Sequence, residues 1–176
     1  GTKEALSHIT EVNESKTTYV PVCEDHRGSC VRPLFPQPER VTCPTKASPG
    51  TSSTGSYILP ANYMYRFDKS FADSILDVVS GTVLELGAGL GCYTHYFNKS
   101  GKVDLVSGFE GASNVEELTG KFIRHADLTE KHSFGQFDWV VCLEVAEHVP
   151  AESEATLVAN IIDPLPKGVV LSWALP

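Results

Sequence analysis

After Gly55 the apolar positions fall into two rhythms. Thr82-Val83-Leu84-Glu85-Leu86, Lys102 to Phe109, Phe122 to His125, Phe137 to Leu143 and Val169 to Trp173 are short apolar runs that predict five strands. Between them Phe67, Phe71, Ile75, Leu76 and Val79 recur at helical spacing over 67–79, ended by Ser80-Gly81. Further helices are predicted from Cys92, over Ser113 to Leu118 and over Ser153 to Ile162. Strands apolar on both faces, alternating with helices, imply an α/β fold: a three-layer α-β-α sandwich around a mostly parallel, Rossmann-like sheet.

Residues 1–55 read differently. Five of the eleven prolines lie between Pro33 and Pro49, and Gly50 to Gly55 is a Gly/Ser/Thr run, so this stretch is expected to be irregular linker. The chain is therefore divided into a largely irregular extension, 1–55, and a folded domain, 56–176. Within the extension, Thr17 to Val22 and Ser29 to Arg32 could pair as a hairpin around Asp25 to Gly28. Cys23, Cys30 and Cys43 lack the short C-x-x-C pairs of structural zinc sites, so free thiols or one disulfide are expected there. Cys92 and Cys142 sit in apolar runs and read as small buried hydrophobes. Asn98, a sequon residue, falls in helical pattern and reads as a chance match.

Charge narrows the partners. The net charge is −8, and up to Gly55 bases and acids balance at six each, so the whole excess lies on the domain. An acidic domain without a basic face argues against a nucleic-acid partner. No run approaches the length of a membrane span. With no signal peptide at the start of the sequence, a cytoplasmic location is expected.

The chemistry concentrates in Glu85-Leu86-Gly87-Ala88-Gly89-Leu90-Gly91. A strand, a glycine turn and a helix start expose backbone N–H groups where a ligand could sit. A dinucleotide fingerprint would have glycine at its sixth position, where this chain has Cys92, and would rarely have an acid at Glu85. The E-x-G-x-G-x-G pattern instead resembles motif I of class I S-adenosylmethionine (SAM) dependent methyltransferases. The resemblance continues through Glu110 after the second strand, Asp127 in His125-Ala126-Asp127-Leu128, and the fourth-strand run Phe137 to His148. It covers roughly residues 57 to 176.

That resemblance implies a SAM site built from Glu85, Gly87, Ala88, Gly89, Gly91, Glu110, Asp127, Leu128 and Leu143. Glu110 would accept from the ribose hydroxyls and Asp127 would lie near the adenine amino group. The fourth strand ends in Leu143-Glu144-Val145-Ala146 rather than the Asp/Asn-Pro-Pro-aromatic ending of nucleobase N-methyltransferases. A small-molecule acceptor methylated at oxygen is the reading this favours, with a catalytically inactive SAM-binding module as the alternative. An NAD-dependent oxidoreductase is disfavoured by Cys92 and Glu85. Glu144, Glu147 and His148 form an E-x-x-E-H that holds a divalent cation in some relatives, but helix capping or lining is favoured over a metal. His148 and Glu144 are the catalytic candidates, with His148 the best-placed proton acceptor and His95 a weaker one. The aromatic cluster Tyr57, Tyr63, Tyr65, Phe67 and Phe71 suits a lid or plain packing equally, and Arg66 is a candidate partner for the SAM carboxylate. The family sheet has seven strands, so the domain is expected to be truncated after its fifth, with the last hairpin missing.

Overall fold

In the computed structural model, residues 22–25, 50–60 and 64–174 are described. The chain begins with β1 (Val22–Asp25), the short hairpin strands β2 (Gly50–Thr51) and β3 (Tyr57–Ile58), and β4 (Met64–Phe67). Then come α1 (Lys69–Leu76), β5 (Thr82–Leu86), α2 (Cys92–Ser100), β6 (Leu105–Glu110), α3 (Val115–Leu118) and β7 (Arg124–His125). After β8 (Trp139–Cys142), 3-10 turns at Ala146–His148 and Ala151–Ser153 lead into α4 (Glu154–Ile162) and β9 (Gly168–Leu171).

Strands β5 to β9 form one parallel sheet in the order β7-β6-β5-β8-β9. That is the mostly parallel α/β arrangement expected from the pattern. The two-residue side-chain period divides the sheet between two cores. Val83 and Val141 face α1 and α2, among Ala72, Ile75, Leu76 and Phe97. Leu84, Leu86, Val140 and Cys142 face the other way, among Phe109, Leu157 and Ile161. Burying each such aliphatic side chain contributes about 1.5–3 kcal/mol relative to leaving it exposed.

Two local expectations change. The helical stripe began at Phe67, but Met64–Phe67 is a strand paired in parallel with β1, and the helix starts at Lys69. Asp68 sets that boundary, because its carboxylate accepts from the Phe71 N–H at 3.0 Å as an N-cap. Phe67 is buried in either conformation, so burial alone could not distinguish them. Second, Val22–Asp25 pairs with β4, whereas the other residues of the hairpin suggested around Asp25 to Gly28 lie outside the described residues. The proline-rich segment, Cys30, Cys43 and Tyr63 lie outside them too.

The remaining clamps are polar. Asn98 on α2 bonds both ways with β6, its Nδ2 donating to the Val106 carbonyl at 3.1 Å and its Oδ1 accepting from the Val106 N–H at 2.9 Å. At the amino end of β8, Asp138 accepts from the Thr82 N–H and hydroxyl and pairs with Lys167 at 2.7 Å. The Lys167 ammonium and the Thr82 donors pull the Asp138 carboxyl down to about 2. Buried Cys142 is a free thiol, whereas Cys92, expected to be a simple buried thiol, is disulfide-bonded.

Candidate functional site

A cavity of about 50 Å³ opens at the carboxyl ends of the sheet strands, where parallel α/β sheets bind ligands. Gly87 follows β5, Glu110 ends β6, Asp127 and Leu128 follow β7, and Glu144 to Val149 follow β8; all but Ala146 and Glu147 line it. The β2–β3 hairpin contributes Thr54, Gly55, Ser56 and Tyr57 to its wall, beside Tyr65, Gly111 and Thr129.

The glycine loop works differently from the expectation. Four of its N–H groups are bonded within the fold: Gly87 and Ala88 both donate to the Phe109 carbonyl, at 2.8 and 2.9 Å. Gly89 donates to Glu110 Oε2 at 2.8 Å, and Gly91 to the Ala88 carbonyl at 2.9 Å. Glycine is required here by conformation and crowding. Gly87 has φ +75, and a Cβ there would stand 2.1 Å from Val145 Cγ2. At Gly89, with φ +56, it would stand 2.5 Å from the Tyr65 ring.

Glu110 is the polar centre of the site. Its carboxylate is buried and accepts from Gly89 and from the Ala112 N–H at 3.1 Å. Burial pushes its carboxyl above the usual range, against the opposing pull of those amides. Each carboxylate oxygen has more than one acceptor position, so both can still take a hydroxyl donor from the cavity. Asp127 faces the same space. Burial would raise its carboxyl, but the Thr129 N–H at 3.0 Å, the Thr129 hydroxyl at 2.7 Å and Thr54 hold it below the usual range.

Glu85, expected to meet the ligand, does not line the cavity. It shares the face of β5 that carries Val83, so it turns toward α2, where the Thr94 hydroxyl donates to it. Burial raises the Glu85 carboxyl to about 8, so it is protonated at neutral pH. Ala88, Gly89, Gly91 and Leu143 also stand outside the cavity lining. So do Arg66, which is exposed, and His95, which lies edge-on to Phe122 with a ring distance of 6.2 Å.

The second half of the site is the turn after β8. Glu144 has φ +55 and lines the cavity mouth. His148 Nε2 lies 3.2 Å from the Tyr57 hydroxyl, so the hairpin is joined to this turn. Glu147 turns inward; its Oε2 is buried with no hydrogen-bond partner among the described residues. Among those residues no group of three His, Cys, Asp or Glu side chains is placed to hold a metal. The aromatic cluster divides: Tyr57 and Tyr65 line the cavity, whereas Phe67 and Phe71 pack against Tyr93 on α2.

Thr54, Ser56, Thr129 and Val145 line the cavity without having been singled out from the sequence. The Gly/Ser/Thr run 50–55 carried the signal of a turn but read as linker.

No family model and no curated relative matches the chain. Solved structures do. DesVI of Streptomyces venezuelae is 22% identical over 61% of this chain and 51% of its own, with a TM-score of 0.51. The methyltransferase domain of bacterial CtHen1-C is 18% identical over 57% and 60%, with a TM-score of 0.50. A DhpI complex with SAM and HEP is 23% identical over 57% and 48%, at a TM-score of 0.44. The chain spans between about half and three fifths of these proteins. It has the fold of the class I SAM-dependent methyltransferases.

Proposed function

We propose that this chain is a SAM-dependent methyltransferase, binding SAM under the 50–58 hairpin and methylating a small-molecule acceptor. The observation that carries the reading is the meeting of Glu110, Asp127 and Gly87 in one cavity at the carboxyl end of a sheet of this fold. The donor set suits the group: Glu110 is an acceptor-only carboxylate for a ribose diol, and Asp127 accepts from an adenine amine. Among the described residues no Lys or Arg lines the cavity, which suits a sulfonium cation.

When bound, SAM supplies an activated methyl group. The chain's own residues orient the reactants and exclude water. The hairpin covers the cavity through Tyr57 and through Ser56, which packs against Gly111 so closely that a Cβ there would approach to 2.8 Å. A hydroxyl acceptor, the reading favoured by the fourth-strand ending, gives its proton to His148, whose Nε2 lies on the cavity wall beside Tyr57. Among the described residues no helix is long and apolar enough to cross a membrane. The disulfide at Cys92 supports an oxidising compartment over the cytoplasmic location expected from the sequence.

Isothermal titration with SAM tests the reading. The folded protein is expected to bind, and Glu110→Gln to weaken binding about 10- to 100-fold, the worth of one charged hydrogen bond. A silent titration refutes it. Binding without transfer to any acceptor favours the inactive-module alternative.

A further inference from the structure

Cys92 opens α2 directly after Gly91, buried and disulfide-bonded. The chain has five cysteines, and Cys142 is a free thiol. A bridge within the chain therefore leaves Cys23, Cys30 and Cys43 as candidates for the partner of Cys92, and all three belong to the extension 1–55.

Backbone register singles out one of them. Strand β1 pairs with β4 in parallel, with Cys23 opposite Tyr65 and Asp25 opposite Phe67. Register partners on paired strands share a face of the ribbon, as do residues two apart on one strand. That face of β4 meets α2. Phe67 packs against Tyr93 and Tyr96 with ring distances of 5.0 and 5.3 Å, and Tyr65 packs against the cluster that contains Cys92. Position 23 thus belongs to the side of the ribbon that meets the start of α2.

The ribbon needs such a tie. It is a separate two-stranded sheet, and two strands alone are marginally stable in water. Its Tyr65 matters to the site, because the ring lines the cavity and stands against Gly89, leaving no room for a Cβ there.

We infer that Cys92 is bridged to Cys23, and that this bridge pins the β1–β4 ribbon so that Tyr65 stays against the glycine loop, which makes the cavity redox-sensitive. A dithiol reductant undoes the bridge by exchange. One of its thiolates attacks a bridge sulfur, the second closes the reductant's own disulfide, and two electrons and two protons end on Cys23 and Cys92. The consequence for SAM rests on the reading of the cavity proposed above, whereas the bridge and the pinning do not.

Peptide mapping tests the bridge on the whole unreduced chain, with free thiols alkylated before digestion. Trypsin cuts after Arg27, Arg40 and Lys46 and so separates Cys23, Cys30 and Cys43. A linked pair carrying Cys23 and Cys92, parted by dithiothreitol, is expected. Cys92 linked to Cys30 or Cys43, or not linked, overturns the inference. Hydrogen exchange tests the pinning: amides at 64–67 and 87–91 should exchange faster after reduction, and unchanged exchange overturns it. SAM affinity is expected to fall about tenfold on reduction and in Cys23→Ser, with no further loss when that variant is reduced. Cys30→Ser and Cys43→Ser should keep wild-type affinity. An affinity that reduction leaves unchanged overturns the redox-sensitive cavity. A protein that binds no SAM in either state overturns the SAM reading, and the linked peptide and the exchange rates still decide the bridge and the pinning.

Discussion

The Tyr57 hydroxyl lies 3.2 Å from Nε2 of His148, and the two rings meet edge to face at 5.2 Å. Residues 91 positions apart thereby close the hairpin onto the turn that follows β8. The contact places the same imidazole at a gate and at the candidate proton acceptor, and the two roles separate by mutation. Tyr57→Phe removes a hydrogen bond worth about 0.5–1.5 kcal/mol, so SAM should leave faster and bind roughly 2- to 10-fold more weakly. His148→Ala should lower turnover far more than SAM affinity. Unchanged turnover removes His148 from the mechanism, and unchanged SAM release in Tyr57→Phe removes the gate.

Glu85 makes stability depend on pH in a defined direction. Its carboxyl titrates at about 8 when folded, against an ordinary value of 4.5. Between those values the folded chain keeps a proton that the unfolded chain has released, so this group lowers stability as pH rises through that window. Glu85→Gln keeps an acceptor for Thr94 and cannot ionise. Thermal melts should show the variant gaining on the wild type from pH 5 to pH 8; a constant difference across that range would mean Glu85 is ionised in the fold.

Asn160 ties the segment that carries Leu128 and Thr129 to α4. Its Oδ1 accepts from the His132 N–H at 2.9 Å, and its Nδ2 donates to the Leu128 and Glu130 carbonyls at 3.2 and 2.8 Å. Asn160→Leu keeps the bulk but leaves these buried groups unpaired, at a cost of roughly 1–3 kcal/mol. Urea denaturation should show this loss, with weaker SAM binding because the Asp127 wall shifts. Wild-type stability would mean the loop is held elsewhere.

Reduction should loosen the first turn of α2, since Cys92 is disulfide-bonded. A reductant is expected to lower the melting temperature, by an amount matching about 2–5 kcal/mol for a native bridge. Alkylation of all five cysteines in unreduced, denatured protein would show that no bridge forms.

The sheet was legible because parallel strands covered on both faces must be apolar throughout. Strand β5 runs over the residues its apolar run marked, and the expected order of strands and helices holds from β5 to β9. Phe67 misled because an aromatic residue before a capping aspartate is buried whether it ends a strand or starts a helix. The 50–55 run misled because small polar residues form tight hairpins and linkers equally well, and contact of Gly55 with His148 and of the adjoining Ser56 with Gly111 selects the hairpin.

By itself the sequence determined the layer order and the strand ends that carry Glu110, Asp127 and Glu144, since these follow from periodicity and chain connectivity. Tertiary structure alone decided which loop N–H groups were already bonded, that Glu85 turns to Thr94 and away from the cavity, and that Ser172 reaches Glu144. Those outcomes depend on which strand lies beside which and on the face each side chain takes. Hydrogen bonds between residues 9, 21 or 28 positions apart are invisible to any local pattern.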